Sequence, residues 1–342
     1  MRDIFAWLLL LCLVSRHIKK LLLLGSIALI PSQAFAQTSG FTSTQSTQSP
    51  GAAEVDATLV TPAGHEVNFG VSGYKYVEPS PTSISIHGVK FGGGYTGTMS
   101  LGASRHWFLQ ADAQGLFGST TYDGWCSPYL IRPVSTSPNG YALGFGERSP
   151  CSASGDKDWY LEGRALLGKD FIGHRWAWSP AFGLGVRHLS NSTTGVAGYR
   201  TDDYWYLPVG ITARTTVASH NALSVHVEYD HLLHGWQNTH DSRRGGGNVP
   251  ATAIAPAFTI DGFSDISFEQ HSGWALRAGA KYQMTRRWSL EPEYIHWNVS
   301  ASPVNFETAT FTVNGISVRQ QLGFYEPLNT TNEFVMKLGF RF

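Results

Sequence analysis

The chain has 342 residues, of which 15% are charged and 42% hydrophobic, together with 37 glycines and 11 tryptophans. Its 25 basic and 25 acidic side chains balance, which excludes the basic excess typical of a nucleic-acid-binding protein. A mean hydropathy of −0.13 excludes a bundle of transmembrane helices, because each such helix needs about 20 predominantly apolar residues. A β-rich protein remains.

Residues 1–36 have the features of an export signal. A basic cluster precedes the apolar run at residues 21–30, and an A-x-A cleavage pattern ends at Ala36. We therefore expect a signal peptide that is cleaved after Ala36. An earlier apolar run at residues 4–14 is surplus to such a signal, so we expect translation to start near Val14. A membrane-anchored helical hairpin is the alternative.

Residues 37–65 are rich in Ser, Thr, Gln and Gly and predict a flexible periplasmic tail. Of the three cysteines, Cys12 lies in the leader, and Cys126 and Cys151 remain as an even pair in an exported chain. Both lie in a segment that we expect to be a loop. We expect a disulfide that staples this loop, with a reactive thiol pair as the alternative.

From residue 66 onward, apolar residues alternate with polar or small ones, which is the period-2 pattern of β-strands. Val67, Phe69 and Val71 show it clearly. An even number of strands is typical of a closed bacterial membrane barrel. The pattern predicts ten strands, at residues 66–77, 84–101, 105–121, 158–171, 175–190, 203–218, 222–236, 264–284, 287–299 and 332–342.

The predicted connections differ in length on the two sides. Short turns at 102–104, 172–174, 219–221 and 285–286 alternate with a short loop at 78–83 and longer loops at 122–157, 191–202, 237–263 and 300–331. Short periplasmic turns and long outer loops are typical of outer-membrane barrels. The expected fold is an all-β transmembrane antiparallel up-and-down β-barrel over residues 66–342. Eight strands is the alternative, if the first pair stays outside the barrel.

The last strand carries a resemblance to a known class. Phe334, Met336, Leu338, Phe340 and Phe342 share one face and end the chain on an aromatic residue. This strand resembles the closing strand of bacterial outer-membrane β-barrel proteins, the OmpA-like and porin-like group. The resemblance implies the cell outer membrane of a Gram-negative bacterium, contact with outer-membrane lipid, and folding by the barrel-assembly machinery with Phe342 as the assembly signal.

Nine tryptophans are expected mostly in interfacial girdles: Trp107, Trp159, Trp176, Trp178, Trp205, Trp236, Trp274, Trp288 and Trp297.

Charged side chains fall on the face opposite the lipid. In a small barrel we expect them to fill the interior as ion pairs, since an unpaired buried charge is costly. A narrow pore is the alternative, slightly anion-selective because eight of the residues are basic and six acidic. The predicted lumen residues are Lys90, Asp112, Glu162, Arg164, Arg187, Arg214, Glu228, Asp230, Arg277, Lys281, Glu291, Glu293, Lys337 and Arg341.

Residues 187–191 read Arg-His-Leu-Ser-Asn at the outer end of a predicted strand. This segment resembles the His-x-Ser-Asn motif of the outer-membrane lipid A deacylase family. The resemblance implies that His188 and Ser190, with Asp202 or Asp203, form a membrane-facing Ser/His/acid triad. That family has eight strands and a glutamate as the acid, whereas ten strands and an aspartate are expected here. An ordinary histidine at the barrel rim is the alternative.

A second polar group contains His226, Glu228 and Asp230 on one strand face, with His231 adjacent. Together with ten strands it resembles the omptin proteases, which use aspartate and histidine at the top of the barrel. Asp230 and His231 lie on opposite faces and no paired aspartates are clearly opposite them, so we expect a structural polar network.

No cofactor is expected from the sequence. The glycine runs at 92–94 and 245–247 lack the following Lys-Ser/Thr and helix of a phosphate-binding loop, and we expect bends there. The histidines lack the spacing of a zinc site. The sequence thus predicts an outer-membrane barrel with a structural or surface-interaction role, or a narrow pore. Its loops at 240–260 and 300–331 offer surface to an extracellular ligand. A membrane-facing esterase is the alternative, and the sequence does not decide whether the protein is an enzyme.

Overall fold

The computed structural model describes residues 59–79, 83–102, 106–192, 198–218, 221–253 and 255–342. The predicted signal peptide and most of the predicted tail lie outside these ranges. Most of the described residues lie in β-strands. The one helical element among them is the 3-10 turn Asp241–Arg243. Within the described ranges no helix has the length and apolar character to cross a membrane.

The strands of the described residues are numbered in chain order. They are β1 (Gly64–Glu78), β2 (Ile84–Leu101), β3 (Trp107–Cys126), β4 (Tyr129–Pro133), β5 (Tyr141–Phe145), β6 (Ser149–Lys169), β7 (Phe171–Ile172), β8 (Trp176–Ser192), β9 (Tyr199–Ala218), β10 (Asn221–Thr239), β11 (Gly247–Val249), β12 (Phe258–Phe263), β13 (Ile266–Gln270), β14 (Gly273–Gln283), β15 (Trp288–Val299), β16 (Asn305–Val313), β17 (Ile316–Phe324) and β18 (Asn329–Arg341).

Ten of these strands form a closed antiparallel barrel, as the sequence predicted. Their order is β1-β2-β3-β6-β8-β9-β10-β14-β15-β18, and β18 pairs back onto β1 with Phe69 opposite Leu338. The alternative of eight strands is wrong, because β1 and β2 pair along their whole length inside the sheet. Short turns connect strands at the end that holds both termini of the barrel, and longer connections lie at the other end. We call the two ends periplasmic and extracellular accordingly.

The extracellular connections contain more structure than predicted. β3 and β6 continue beyond the barrel as a ribbon that pairs as far as Cys126 opposite Ser149. Between them β4 and β5 form a hairpin, and β11, β12, β16 and β17 form a separate four-stranded sheet. The hairpin and this sheet share an apolar core that includes Ile131, Leu143 and Phe311. We call this folded unit the extracellular module. Its strands are short, so the alternation of apolar and polar residues in them is too brief to distinguish them from loops in the sequence.

The disulfide between Cys126 and Cys151 is present, as predicted. Its place differs from the expectation of a loop, since Cys126 ends β3 and Cys151 lies in β6. The two cysteines occupy diagonal positions across the paired ribbon, with Gly124 opposite Cys151. The bridge therefore closes the base of the β4–β5 hairpin.

The outer surface of the barrel is apolar. On β3 the outward residues from Trp107 to Phe117 are aromatic, aliphatic, alanine or glycine, and all but Gly115 are exposed. This length suits a tilted strand, which needs about 9–11 residues to cross the hydrocarbon. Trp107, Trp176 and Trp288 mark the periplasmic edge of this band. Trp297 does not belong to a girdle as expected, because it is 2% exposed and packs inside the barrel against Tyr206.

Residues 59–62 depart from the expected flexible tail. Leu59 is 1% exposed, and its carbonyl accepts a hydrogen bond from Arg214 at 3.1 Å. The backbone N–H and the hydroxyl of Thr61 both donate to Asp170, each at 2.7 Å. This short segment thus occupies the periplasmic mouth of the barrel, because buried polar partners there satisfy its backbone.

Candidate functional site

Two separate cavities occupy the barrel interior. The periplasmic cavity has a volume of about 510 Å³ and is lined by residues such as Thr61, Arg164 and Lys281. The extracellular cavity has a volume of about 80 Å³ and is lined by residues such as Tyr76, Asp202 and Glu326. A layer of buried side chains lies between them. We call this layer the septum, formed by Lys90, Tyr160, Glu162, Arg187, Tyr206, Asp230, Arg277 and Glu333.

Arg277 is the centre of the septum and is 2% exposed. Its guanidinium binds the carboxylate of Glu162, and its Nε donates to Asp230 Oδ2 at 2.7 Å. Tyr206 donates its hydroxyl to the same Glu162 carboxylate. Strands β6, β9, β10 and β14 contribute these four residues. The network therefore links four strands through side chains that meet in the lumen.

The other side of the septum is built on two further cations. Lys90 Nζ lies 2.6 Å from Asp158 Oδ1 and 3.3 Å from the centre of the Tyr74 ring. The Arg187 guanidinium stacks 4.0 Å above the Tyr160 ring, and its Nη2 lies 3.6 Å from Glu333. Cation–π contacts and ion pairs together compensate the loss of water around these buried charges. Each of the eight septum residues is at most 6% exposed.

Ion pairs also fill the periplasmic half of the lumen. Arg164 bridges Glu228 at 2.6 Å and Asp112 at 3.1 Å, and Lys337 Nζ lies 2.6 Å from Glu293. The structure places all fourteen predicted lumen residues inside the barrel. Arg214 differs from the others, because its partners are Leu59, Thr61 and Ser224 rather than a carboxylate.

Sequence reasoning missed several interior acids. Glu66 binds Lys281 and Arg341, Asp158 binds Lys90, and Glu333 accepts a hydrogen bond from Ser72 at 2.7 Å. Strand parity could have found two of them, since Glu333 shares the inward face of β18 with Lys337, and Asp158 that of β6 with Glu162. With these acids added, the interior loses the slight basic excess on which the anion-selective pore was based.

The extracellular cavity lies at the extracellular end of the barrel, where carboxyl groups are concentrated. The Tyr76 hydroxyl lies 3.0 Å from the carboxylates of both Glu78 and Glu326, and Arg200 lies 3.6 Å from Glu326. Burial raises the pKa of Glu326 to about 7, although Arg200 opposes this change. Burial likewise raises the pKa of Asp202 to about 7. These two carboxyl groups therefore change charge near neutral pH.

His188 and Asp203 lie on the outer surface at the extracellular edge of the apolar band. His188 on β8 lies opposite Asp203 on β9, and His188 Nδ1 is 2.7 Å from Asp203 Oδ1. Asp202 instead faces the lumen and lines the extracellular cavity. Of the two aspartates, Asp203 is therefore the one that contacts His188. With the proton on Nδ1, the imidazole donates to Asp203 and its Nε2 is free to act as a base.

Ser190 follows His188 on the same face of β8. It is 1% exposed, and its hydroxyl donates to the Tyr199 hydroxyl at 3.0 Å. The Trp159 ring packs against His188 with ring centres 5.3 Å apart. The described structure therefore brings His188 and Asp203 together, while a hydrogen bond from Ser190 to His188 would require the Ser190 side chain to rotate away from Tyr199.

The residues that resembled a protease site do not meet at the extracellular end. His226 lies in the periplasmic half of the lumen, 3.4 Å from Glu293. Glu228 pairs with Arg164, and Asp230 belongs to the septum. His231 faces outward beside Tyr229. The arrangement is the polar network expected from the sequence.

Gly92 shows what the first glycine run does. A Cβ at this position would lie 1.9 Å from the carbonyl oxygen of Gly115 on β3. The glycine thus lets two strands approach closely inside the barrel.

Comparison with solved structures finds outer-membrane proteins at low sequence identity. The outer-membrane protease OmpT from Escherichia coli has 11% sequence identity and a TM-score of 0.44, with 82% of this chain and 98% of that chain covered. The translocator domain of the autotransporter NalP from Neisseria meningitidis has 13% identity and a TM-score of 0.32, with 85% and 92% covered. The attachment invasion locus protein Ail of Yersinia pestis has 10% identity and a TM-score of 0.25, with 82% and 100% covered.

At this level of similarity no role transfers to this chain from the three structures. No protein-family model matches the sequence, and no curated protein matches it.

Proposed function

We propose that this protein is a non-conducting β-barrel of the bacterial outer membrane that acts at its extracellular surface. The septum carries this proposal, because its buried and paired charges fill the lumen between the two cavities. A pore needs a continuous polar path along which ions exchange ligands. A filled interior of this kind stabilises the barrel and suits a protein that presents its loops at the cell surface.

The extracellular module supports a role in surface interaction. The Gln320 side chain makes two hydrogen bonds to the backbone of Leu143, at 2.8 and 2.9 Å, and so joins the four-stranded sheet to the β4–β5 hairpin. The disulfide closes the base of the hairpin. A surface held in one conformation loses little entropy on binding a partner.

Single-channel recording in a planar bilayer tests the sealed lumen. The folded protein should give no steady openings. A charge-balanced variant, Lys90→Ala with Asp158→Ala, removes one ion pair of the septum without leaving an orphan charge and should admit measurable current. Steady openings of the unmodified protein would reject the proposal. A folded variant that stays silent would show that the septum is not what blocks the lumen.

Thiol labelling of intact cells tests the location and orientation. Asn248→Cys lies in the exposed extracellular module and Arg286→Cys in a periplasmic turn. A membrane-impermeant maleimide should label the first variant and not the second. Equal labelling of both, or labelling of Arg286→Cys alone, would overturn the proposed orientation.

A second candidate function rests on a separate observation, the 2.7 Å contact between His188 and Asp203 beside Ser190. We propose, as the alternative, a hydrolase of acyl esters in the outer leaflet. In it Ser190 attacks the ester carbonyl, His188 takes the hydroxyl proton and gives it to the leaving alcohol, and Asp203 orients the imidazole. Water, deprotonated by His188, then attacks the acyl-Ser190 ester, which releases the fatty acid and regenerates the serine hydroxyl. The position at the edge of the apolar band fits a lipid substrate.

Fatty-acid release from lipopolysaccharide in proteoliposomes tests this alternative. Ser190→Ala should abolish release, and Asp203→Asn should reduce it by orders of magnitude because the imidazole loses its correct tautomer. Ser192→Ala is the matched control, since Ser192 follows on the same strand and donates to the Lys157 carbonyl. Release that survives Ser190→Ala, or no release by the folded protein, would reject the hydrolase.

A further inference from the structure

Two histidines and a glutamate meet on the outer surface beyond the apolar band, where β13 pairs with the extracellular end of β10. Ligand atoms of His234, Glu269 and His271 all lie within 4.8 Å of one another. His271 Nε2 is 3.6 Å from Glu269 Oε2, and the rings of His234 and His271 are 5.2 Å apart in an edge-to-face arrangement. This cluster is separate from the septum and from the triad residues.

A β-bulge positions His234 for this cluster. The register between β10 and β9 shifts between Leu232 and His234. Leu232 is buried inside the barrel and Leu233 is 44% exposed outside it, while Gly235 is again buried. His234 thus joins Leu233 on the outer face, which regular alternation would not allow. Bulges commonly re-aim a side chain next to a functional site.

We propose that His234, Glu269 and His271 bind a divalent transition metal ion, with Zn²⁺ as the best fit. Two imidazoles and a carboxylate form a ligand set that zinc uses with a fourth position left for water. Imidazole nitrogen favours Zn²⁺, Cu²⁺ or Ni²⁺ over Ca²⁺ and Mg²⁺, which prefer oxygen ligands.

The spacing of the ligand atoms suits such an ion. Zinc–ligand bonds of about 2.0–2.1 Å place neighbouring ligand atoms of a tetrahedron about 3.3 Å apart, close to the 3.6 Å between His271 and Glu269. These two side chains are 59% and 57% exposed, so small rotations can close the remaining gap. His234 Nε2 is buried and has no hydrogen-bond partner among the described residues, a deficit that a metal ion would satisfy.

A second cluster of possible ligands fits a metal less well. His226, Glu291 and Glu293 also lie within 4.8 Å of one another in the lumen. The ammonium groups of Lys337 and Lys281 already neutralise these carboxylates. An added cation would have to displace them, so this cluster serves as the internal comparison.

Metal titration of the folded full chain in detergent, purified without a polyhistidine tag, tests the proposal. Calorimetry with Zn²⁺ should show one equivalent bound, and Co²⁺ should give the intense visible absorption of a four-coordinate site. His271→Ala and Glu269→Gln should each weaken Zn²⁺ binding by about tenfold or more, since even residues that only hydrogen-bond to a metal ligand contribute about 10–100-fold in affinity. Both residues are exposed, so these variants should fold normally.

Two controls separate the outcomes. His231→Ala removes an outward histidine that lies outside the cluster and should leave the affinity unchanged. His226→Gln should also leave it unchanged. No binding by the unmodified chain would overturn the proposal. So would binding that resists His271→Ala and Glu269→Gln but is lost in His226→Gln, which would assign the metal to the lumen.

Discussion

Arg277 contacts three carboxylates inside the barrel. It binds Glu162 and Asp230 and lies 3.5 Å from Glu228. Arg277→Ala should lower the free energy of unfolding by about 3–5 kcal/mol, because it leaves these acids buried without their cation. Denaturant unfolding of the barrel in detergent, followed by tryptophan fluorescence, measures this loss.

Arg148→Ala provides the matched control for Arg277→Ala. Arg148 is exposed at the extracellular end, and the change should alter stability by no more than about 0.5 kcal/mol. A similar small loss for Arg277→Ala would mean that water reaches the septum and screens its charges.

Asp202 and Glu326 make the extracellular end sensitive to pH. Their folded-state pKa values, raised to about 7 by burial, lie above the ordinary value of a carboxyl group near 4. Between these values the folded state holds more protons than the unfolded state, so stability is highest at low pH and falls as the pH rises through 7. Amide hydrogen exchange in the residues around the cavity should therefore show weaker protection at about pH 8 than at about pH 5.5, after correction for intrinsic exchange.

The double variant Asp202→Asn with Glu326→Gln should flatten this dependence. Asp265→Asn is a contrasting control, because the hydrogen bond from Ser242 lowers the pKa of the exposed Asp265, and its contribution is lost as the pH falls. A pH dependence that persists in the double variant would assign it to other groups.

At the level of single residues, the alternation of side chains along a strand indicates which of them face the lumen. It does not indicate which of the fourteen charged residues form ion pairs with one another. Alternation identifies the face of each side chain, but the partner depends on strand order and register across the barrel. Arg164 and Glu228 are distant in sequence and meet only because β6 and β10 face one another across the lumen. For the predicted triad, the sequence left two adjacent aspartates as candidates. The structure separates them, because Asp203 faces outward beside His188 and Asp202 faces the lumen.

The β3–β6 ribbon should lose stability when its disulfide is removed. Cys126→Ser with Cys151→Ser opens a loop that spans 25 residues in sequence, and the chain-entropy model assigns such a loop about 3 kcal/mol. We expect the β4–β5 hairpin to become the first segment cleaved in limited proteolysis, while the barrel remains folded. Unchanged cleavage would mean that the apolar core of the extracellular module holds the hairpin without the bridge.

Element boundaries were predictable where one face meets lipid. The predicted range of β2 coincides with the observed strand, and β15 differs by one residue. The predicted strand at 264–284 is instead two strands, β13 and β14, interrupted at His271 and Ser272. Beyond the membrane no lipid imposes alternation, so the strands of the extracellular module were not recognised, and the ribbon was assigned to a loop.

At the scale of the whole molecule, we expect the septum to block ion flow through the lumen, and not residues 59–62 at the periplasmic mouth. Deleting the residues up to Pro62 removes Leu59 and Thr61 from the periplasmic cavity and leaves the septum intact. This shortened barrel should remain silent in a planar bilayer, in contrast to the Lys90→Ala and Asp158→Ala pair. Openings after the deletion would show that the segment at the periplasmic mouth, and not the septum, blocks the lumen. Replacing Asp170 by Asn, which weakens the anchor of Thr61, offers a milder version of the same comparison.

The closing contact between β1 and β18 also dictates when folding can finish. The first and last strands of the barrel pair residue by residue, from Glu66 opposite Arg341 to Val77 opposite Thr330. Because these partners have the largest sequence separation in the barrel, their pairing carries the greatest loop-closure entropy and must wait for synthesis of the whole chain. Until then both strands present open edges that can capture other chains. The rate at which this seam closes therefore sets the time during which the unfinished barrel is vulnerable to aggregation.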